Sequence, residues 1–201
     1  MKVLLINGSP RQNGNTHRAL TEVAVTLNSE SIDTSIVNIG KKPVPGCIAC
    51  GCCGRMGKCT FNDDPYFNIM REISEGVDGV VIGSPVYYGG PNGSLCALLD
   101  RVFYSLGKKL QFKPAASIVV CRRGGASAAF DRLNKYFTIM NMPVVSSQYW
   151  NMVYGQIPGQ VEADEEGMQT MRTLGRNMAW MIKNLKGQPE QEPHVWTNFI
   201  R

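Results

Sequence analysis

The opening sixteen residues, MKVLLINGSPRQNGNT, constrain the fold more than any other stretch. Lys2 to Ile6 is a short, branched apolar run suited to a strand buried on both faces, and Asn7 to Asn15 holds only turn-forming and polar residues. Beyond Thr16, the apolar positions Leu20, Val23, Ala24 and Leu27 recur at helical spacing. The loop therefore joins the carboxyl end of a strand to the amino end of a helix, where free backbone N–H groups and the helix dipole select an anion. Ser9, Asn15 and Thr16 add small donors, and Arg11 adds a planar cation. The loop lacks the Lys-Ser/Thr ending of a P-loop, and Gly8 and Gly14 stand too far apart for GxGxxG. It suits one phosphate rather than a pyrophosphate.

The rest of the chain repeats this strand-to-helix plan. Thr34 to Ile39 reads as a second strand, followed by an irregular Cys-, Gly- and Pro-rich stretch from Lys41 to Thr60. Asp64 before Pro65 marks a helix start, so the acids Asp63 and Asp64 are read as capping residues rather than a catalytic pair. Val77 to Gly83 is a third strand, with a helix from about Ser94 to Leu106. Lys113 to Cys121 is a fourth strand, and a helix follows on the face Ala129, Phe130, Leu133, Phe137 and Met140. Pro143 to Tyr149 is the expected fifth strand, and Val161 to Leu185 the last helix, acidic at its start and basic at its end. Alternating strands and helices imply an α/β fold: a doubly wound, five-stranded parallel sheet of order 2-1-3-4-5, with helices on both faces. Residues 1–186 make one domain. The tail 187–201 ends in Val195, Trp196, Phe199 and Ile200, apolar enough to be expected to pack on its own or a neighbouring subunit.

In such a sheet, ligands sit outside the carboxyl ends of the strands, so the loops after strands one, three and four face one crevice. Pro85, Val86, Tyr87 and Tyr88 offer aromatic and backbone contacts to a planar ring, and Gly89 lets the backbone come close. Arg122, Arg123 and Gly124 supply cationic and N–H donors to an electron-rich edge. His17 and His194 are read as surface residues without a catalytic role. The formal charge of +5 is spread along the chain without a basic block interleaved with aromatics, which argues against nucleic acid as partner. The amino terminus is too short for a secretory signal and no stretch is long enough to cross a bilayer, so a cytoplasmic protein is expected.

GSPRQNGNT, the segment from Cys47 through Asp64, GSPVYYGG, Leu98-Leu99-Asp100-Arg101 and RRGG together resemble the NADPH-dependent FMN reductases and the related iron-sulfur flavoproteins. The resemblance covers about residues 1–155. It departs from the family pattern at Cys96, where a lysine often stands, and so puts in doubt any contact that lysine would carry. It implies a flavodoxin-like fold with bound FMN, which takes a hydride from NADH or NADPH and passes electrons to a small-molecule acceptor or redox protein in a ping-pong cycle. It also implies a homodimer or homotetramer. An electron carrier that never meets nicotinamide is the main alternative, and a thiol-based redox sensor ranks last.

Seven cysteines are present, and Cys47, Cys50, Cys53 and Cys59 stand as C-x2-C-x2-C-x5-C, with Cys52 as an extra thiol. Such close clustering cannot staple distant parts of a fold, and the compact spacing favours a [4Fe-4S] cluster over structural zinc, which usually takes two separated halves. Emerging after strand two, the loop is expected on the same sheet edge as the flavin. The iron-sulfur flavoproteins have this arrangement, but reductases without a cluster carry similar cysteines, and both readings stay open.

Overall fold

The computed structural model describes residues 1–197. In chain order its elements are β1 (Lys2–Asn7), α1 (Asn15–Ser29), β2 (Asp33–Asn38), α2 (Cys52–Met56), α3 (Asp64–Glu75), β3 (Gly79–Tyr87), β4 (Gly90–Pro91), α4 (Gly93–Leu106), β5 (Ala115–Cys121), α5 (Ala126–Thr138), β6 (Met152–Tyr154) and α6 (Glu165–Asn184), with 3-10 turns at Gly107–Leu110 and Gln160–Ala163. The parallel pairs run β2-β1-β3-β5-β6. Apart from β4, a two-residue strand antiparallel to the end of β3, this is the expected five-stranded order.

Strand alternation divides the core in two. Leu4, Ile6, Val80 and Ile82 turn to one face, where Ile69 of α3, Leu98 and Val102 of α4 and Leu133 of α5 cover them. Val3, Leu5 and Val81 turn to the other, under Leu20 and Val23 of α1 and Met171 and Leu174 of α6. Because both faces are covered, the strands read as unbroken apolar runs.

The fifth strand lies later than expected. Pro143 to Tyr149 makes only one bridge, Val144 with Ala115, and then leaves the sheet. Ser146 O accepts from Asn177 Nδ2, Ser147 Oγ donates to Thr170 O, and the Gln148 side chain bonds Gln169 and Thr173. Short polar side chains and backbone are thus spent on α6 instead of on a ladder. The chain returns at Met152–Tyr154, which pairs with Val119–Cys121. The last helix is also shorter than Val161–Leu185: residues 160–163 form the 3-10 turn, and Asp164 caps α6 by accepting from Gly167 N at 2.9 Å. At α3 the cap is Asp63 rather than Asp64, its side chain accepting from Tyr66 N.

Residues 187–197 are exposed, with Trp196 stacked on His194 at 4.2 Å. Gly187 and Gln188 line a shallow cavity with Met1, Asp78 and Ile182; Phe199 and Ile200 lie outside the described residues.

At the open edge, Glu72 of α3 ties the first two strands together. It accepts from the Ser35 hydroxyl at 2.6 Å and pairs with the Lys2 ammonium at 2.7 Å. Burial pushes the Glu72 carboxyl up, but the Lys2 and Ser35 contacts more than offset it, so the group lies below the usual carboxylate value. A lowered carboxyl contributes stability above its unfolded pKa and loses it as pH falls through the folded one. Glu72→Gln should therefore cost about 1 kcal/mol at pH 7, given that Lys2 is partly screened by solvent. The gap to the natural protein should close as pH drops below about 4.3. Urea midpoints at pH 7 and pH 3 check this, and a gap unchanged at pH 3 would contradict the assignment.

Candidate functional site

A cavity of about 220 Å³ opens at the carboxyl edge of the sheet. Its walls come from the ends of β1, β3, β5 and β6, as the parallel topology requires. On one side stand Ser9, Arg11, Gly14, Asn15 and Thr16; on another, Pro85, Val86 and Tyr87; on a third, Val120, Cys121 and Arg122. Two arginines and no acid line it.

The first loop is held from below. Gly8 N donates to Gly83 O at 2.8 Å, Asn92 Nδ2 donates to Gly8 O at 2.9 Å, and Ser9 N donates to Asn7 Oδ1 at 3.1 Å. Helix α1 then begins behind Gly14, which offers no side-chain cap, and its first turn carries no acid. The first N–H to close a helical bond is that of Arg18, onto Gly14 O, so the N–H groups before it face the loop unpaired within the helix. With Ser9 and Thr16 buried beside them, this is an anion cradle.

Asn15 plays a different part from the donor expected. Its Nδ2 is spent on Ile157 O at 2.9 Å, leaving Oδ1 buried without a partner. That oxygen suits a ligand hydroxyl or N–H rather than a phosphate.

The second loop is a hairpin. Val86 and Tyr87 of β3 pair with Pro91 and Gly90 of β4, and Tyr88 (φ 49°) and Gly89 (φ 77°) make the two-residue turn between them. The turn puts Tyr88 at the tip, wholly exposed, so neither it nor Gly89 lines the cavity. Arg123 and Gly124 also fall outside it, because the chain turns away after Arg122 to start α5. The two loops touch through glycines: a Cβ on Gly125 (φ 86°) would meet Gly89 Cα at 2.8 Å.

Three cavity residues, Gly155, Gln156 and Pro158, were not foreseen in the sequence. They follow β6, and with that strand placed too early their loop was assigned to no edge. The Gly155 and Gly159 punctuation around Pro158 was the available signal. Asn92 was missed too, although Asn before Gly-Ser is a capping pattern; it accepts from Ser94 N while clamping Gly8.

Cys47, Cys50, Cys53 and Cys59 line a second, smaller cavity with Phe61, Arg101 and Tyr104, while Cys52 lies outside it at the start of α2. All are free thiols. The loop leaves β2 at the carboxyl edge, as expected, and then folds back along α4. Arg101 is eight residues beyond Gly93, about 12 Å down the helix at 1.5 Å per residue. The two cavities share no residue. Among the described residues no three His, Cys, Asp or Glu converge closely enough for a single metal ion. The Cys50 thiol is held below its ordinary value by the Cys52 backbone N–H and the Thr60 hydroxyl. Burial pushes the Cys121 and Cys96 thiols up. Among the described residues no helix is long and apolar enough to cross a membrane.

Fold and crevice together define a flavodoxin-like protein with an anion cradle at the head of its sheet. The family model for NADPH-dependent FMN reductase matches residues 1–156, and the chain belongs to that family of flavoprotein oxidoreductases. It is 34% identical to an iron-sulfur flavoprotein of Methanocaldococcus jannaschii, over 92% of this chain and 100% of the relative. It is 30% identical to an iron-sulfur flavoprotein of Methanosarcina thermophila, over 91% and 96% respectively. Among solved structures, a WrbA-like flavodoxin from Agrobacterium tumefaciens superposes with a TM-score of 0.62 at 16% identity, covering 92% of this chain and 98% of that one. The flavoenzyme FerB, an NAD(P)H:(acceptor) oxidoreductase from Paracoccus denitrificans, does so with a TM-score of 0.62 at 20% identity, covering 90% and 97%.

The glycine contact between the loops gives a direct test. Gly125→Ala must adopt a left-handed backbone and press on Gly89 and Val86, and should lose about 2–3 kcal/mol of stability. Gly124→Ala, with nothing within 4 Å, should change stability by less than about 0.5 kcal/mol. Chemical unfolding of both variants checks the contrast, which equal losses would refute.

Proposed function

We propose that the crevice binds FMN and that the protein is an NAD(P)H-dependent oxidoreductase, passing electrons by a ping-pong cycle to a small-molecule acceptor or a redox protein. One observation carries this reading: a buried, acid-free anion cradle at the start of α1 stands across the same cavity from Pro85, Val86 and Tyr87. Bound FMN would supply a two-electron acceptor for the nicotinamide hydride and a donor to the second substrate.

The chain's own residues bind and orient. The uncapped N–H groups of α1, Ser9 and Thr16 hold the phosphate, with Arg11 adding charge at the rim. Asn15 Oδ1 accepts from the ribityl chain, which satisfies the buried oxygen left open in the fold. Pro85, Val86 and Tyr87 flank the ring, and Arg122 offers a cation to the edge where negative charge grows on reduction. No imidazole lines the cavity and none is needed, because such chemistry depends on position more than on acids and bases.

We further infer that Cys47, Cys50, Cys53 and Cys59 hold a [4Fe-4S] cluster. The donor set fits: four reduced thiols at compact spacing frame one cavity, and two relatives over nine-tenths of the chain are named iron-sulfur flavoproteins.

Arg11→Ala should weaken FMN binding about tenfold, the loss of one exposed charge-assisted contact. Titration of apoprotein with fluorescent FMN measures it, and unchanged affinity would remove the phosphate assignment. Mixed with NADPH or NADH in a stopped-flow cell, the holo-protein should lose its flavin absorbance rapidly; persistent absorbance would favour a carrier. Anaerobically prepared protein should contain about four iron and four sulfide per chain, and a preparation without iron would leave FMN alone.

A further inference from the structure

Arg101 is the largest fully buried side chain described, 1% exposed on the face of α4 that meets the cysteine loop. Nη1 donates to Pro45 O at 3.2 Å and Nη2 to Phe61 O at 2.8 Å. Nη2 also stands 2.5 Å from Asp63 Oδ2, an ion pair without hydrogen-bond alignment. The rings of Phe61 and Tyr66 cover the guanidinium at 5.4 and 4.9 Å. All of this explains an arginine that anchors a loop.

What anchoring does not require is the remaining contact: Nε donates to Cys59 Sγ at 3.3 Å. A neutral thiol is a poor acceptor, and a cationic N–H aimed at sulfur gains most when the sulfur is a thiolate. Cys59 is fixed from its backbone as well. Its N–H donates to Tyr66 Oη at 2.7 Å, Tyr66 Oη donates to Ser105 Oγ at 2.7 Å, and Ser105 Oγ donates to Arg101 O at 2.7 Å. The circuit returns to the residue that grips the sulfur. Cys47 and Cys50, by contrast, lie exposed on the loop.

Resting on the cluster reading above, we propose that Arg101 is a positioning residue that holds Cys59 ready as the fourth ligand and raises the cluster's reduction potential through its Nε–H bond to that sulfur. A cube bound by four thiolates is anionic, and accepting an electron makes it more so. A buried cation bonded to a ligand sulfur stabilises the reduced form more than the oxidised one.

The test is a redox titration of the cluster followed by electron paramagnetic resonance, on holo-protein whose iron, sulfide and FMN have been counted. Arg101→Gln should lower the ratio of reduced to oxidised cluster at a fixed potential by at least about tenfold, about 59 mV for a one-electron couple, with FMN content unchanged. Arg101→Lys, which keeps a cation but not the Nε–H geometry, should fall between. An unchanged potential in the cluster-loaded Gln variant overturns the proposal. Loss of the cluster with FMN retained supports the positioning half of it. Should both variants fail to fold, the natural sequence decides: protein labelled with ¹⁵N-arginine should show a nitrogen hyperfine coupling to the reduced cluster, since Arg101 is the one arginine lining that cavity among the described residues. Absence of the coupling overturns the proposal. Natural protein without iron would instead defeat the cluster reading and leave the FMN site untouched.

Discussion

The site depends on how closely β1, β3 and α1 approach at Gly8 and Gly83. A Cβ on Gly83 would press into Leu20 at 2.9 Å and Thr16 at 3.0 Å, and one on Gly8 would come within 2.7 Å of Gly83 O. Neither glycine needs an unusual backbone; both are required by proximity. The approach seats α1 so that its amino end stands at the strand ends, and it lets Gly8 N bond Gly83 O across the neighbouring strand. The anion cradle begins one residue beyond Gly8 and the Pro85 wall two beyond Gly83, so their separation is set by backbone rather than by flexible side chains. Gly155 repeats the device: a Cβ there would stand 2.8 Å from Asn15 Nδ2 and 3.0 Å from Val161 N, so the loop after β6 closes directly on the cradle.

The electrostatics follow the same geometry. Most cations of this basic chain lie elsewhere and are paired or solvated: Arg18 and Arg172 share Glu22 between α1 and α6, and Lys183 meets Glu30. The cavity instead holds Arg11 and Arg122 with no acid. A net charge of +5 says little by itself; what selects an anionic ligand is the exclusion of carboxylates from one small region while helix N–H groups point into it.

Much of this was legible because the two-sided burial of the sheet writes its strands as plain apolar runs and the turn residues after them mark loops. The loop after β1 and the Pro85–Tyr87 segment, which line one cavity, are legible that way. The fifth strand was not, because Val144 and Val145 look like strand while the polar residues that follow are claimed by α6, a contact between distant segments that local pattern does not record. That error hid Gly155, Gln156 and Pro158. Tyr88 failed for a conformational reason: two consecutive left-handed residues reverse the chain there, and a tyrosine gives no warning of such a turn. Arg101 enters the sequence reading only within the Leu98–Arg101 motif, and it is the wrapping of residues 45–66 around α4 that buries it.

That wrapping takes the Arg101 charge out of water. A guanidinium taken out of water costs several kcal/mol unless its donors are satisfied and its charge balanced. Here three of the five N–H groups donate to two carbonyls and a sulfur, and Asp63, which also caps α3, is the paired carboxylate among the described residues. Asp63 serves both through separate oxygens, Oδ2 facing Arg101 and Oδ1 accepting from Tyr66 N, so the ion pair and the helix cap stand together. Among the described residues the crevice at the sheet edge and the cysteine-lined cavity share none, so each is walled by its own loops. Different parts of α4 thus hold the two loops: Asn92 clamps the loop before α1 at the amino end, and Arg101 fixes the cysteine loop about two and a half turns below.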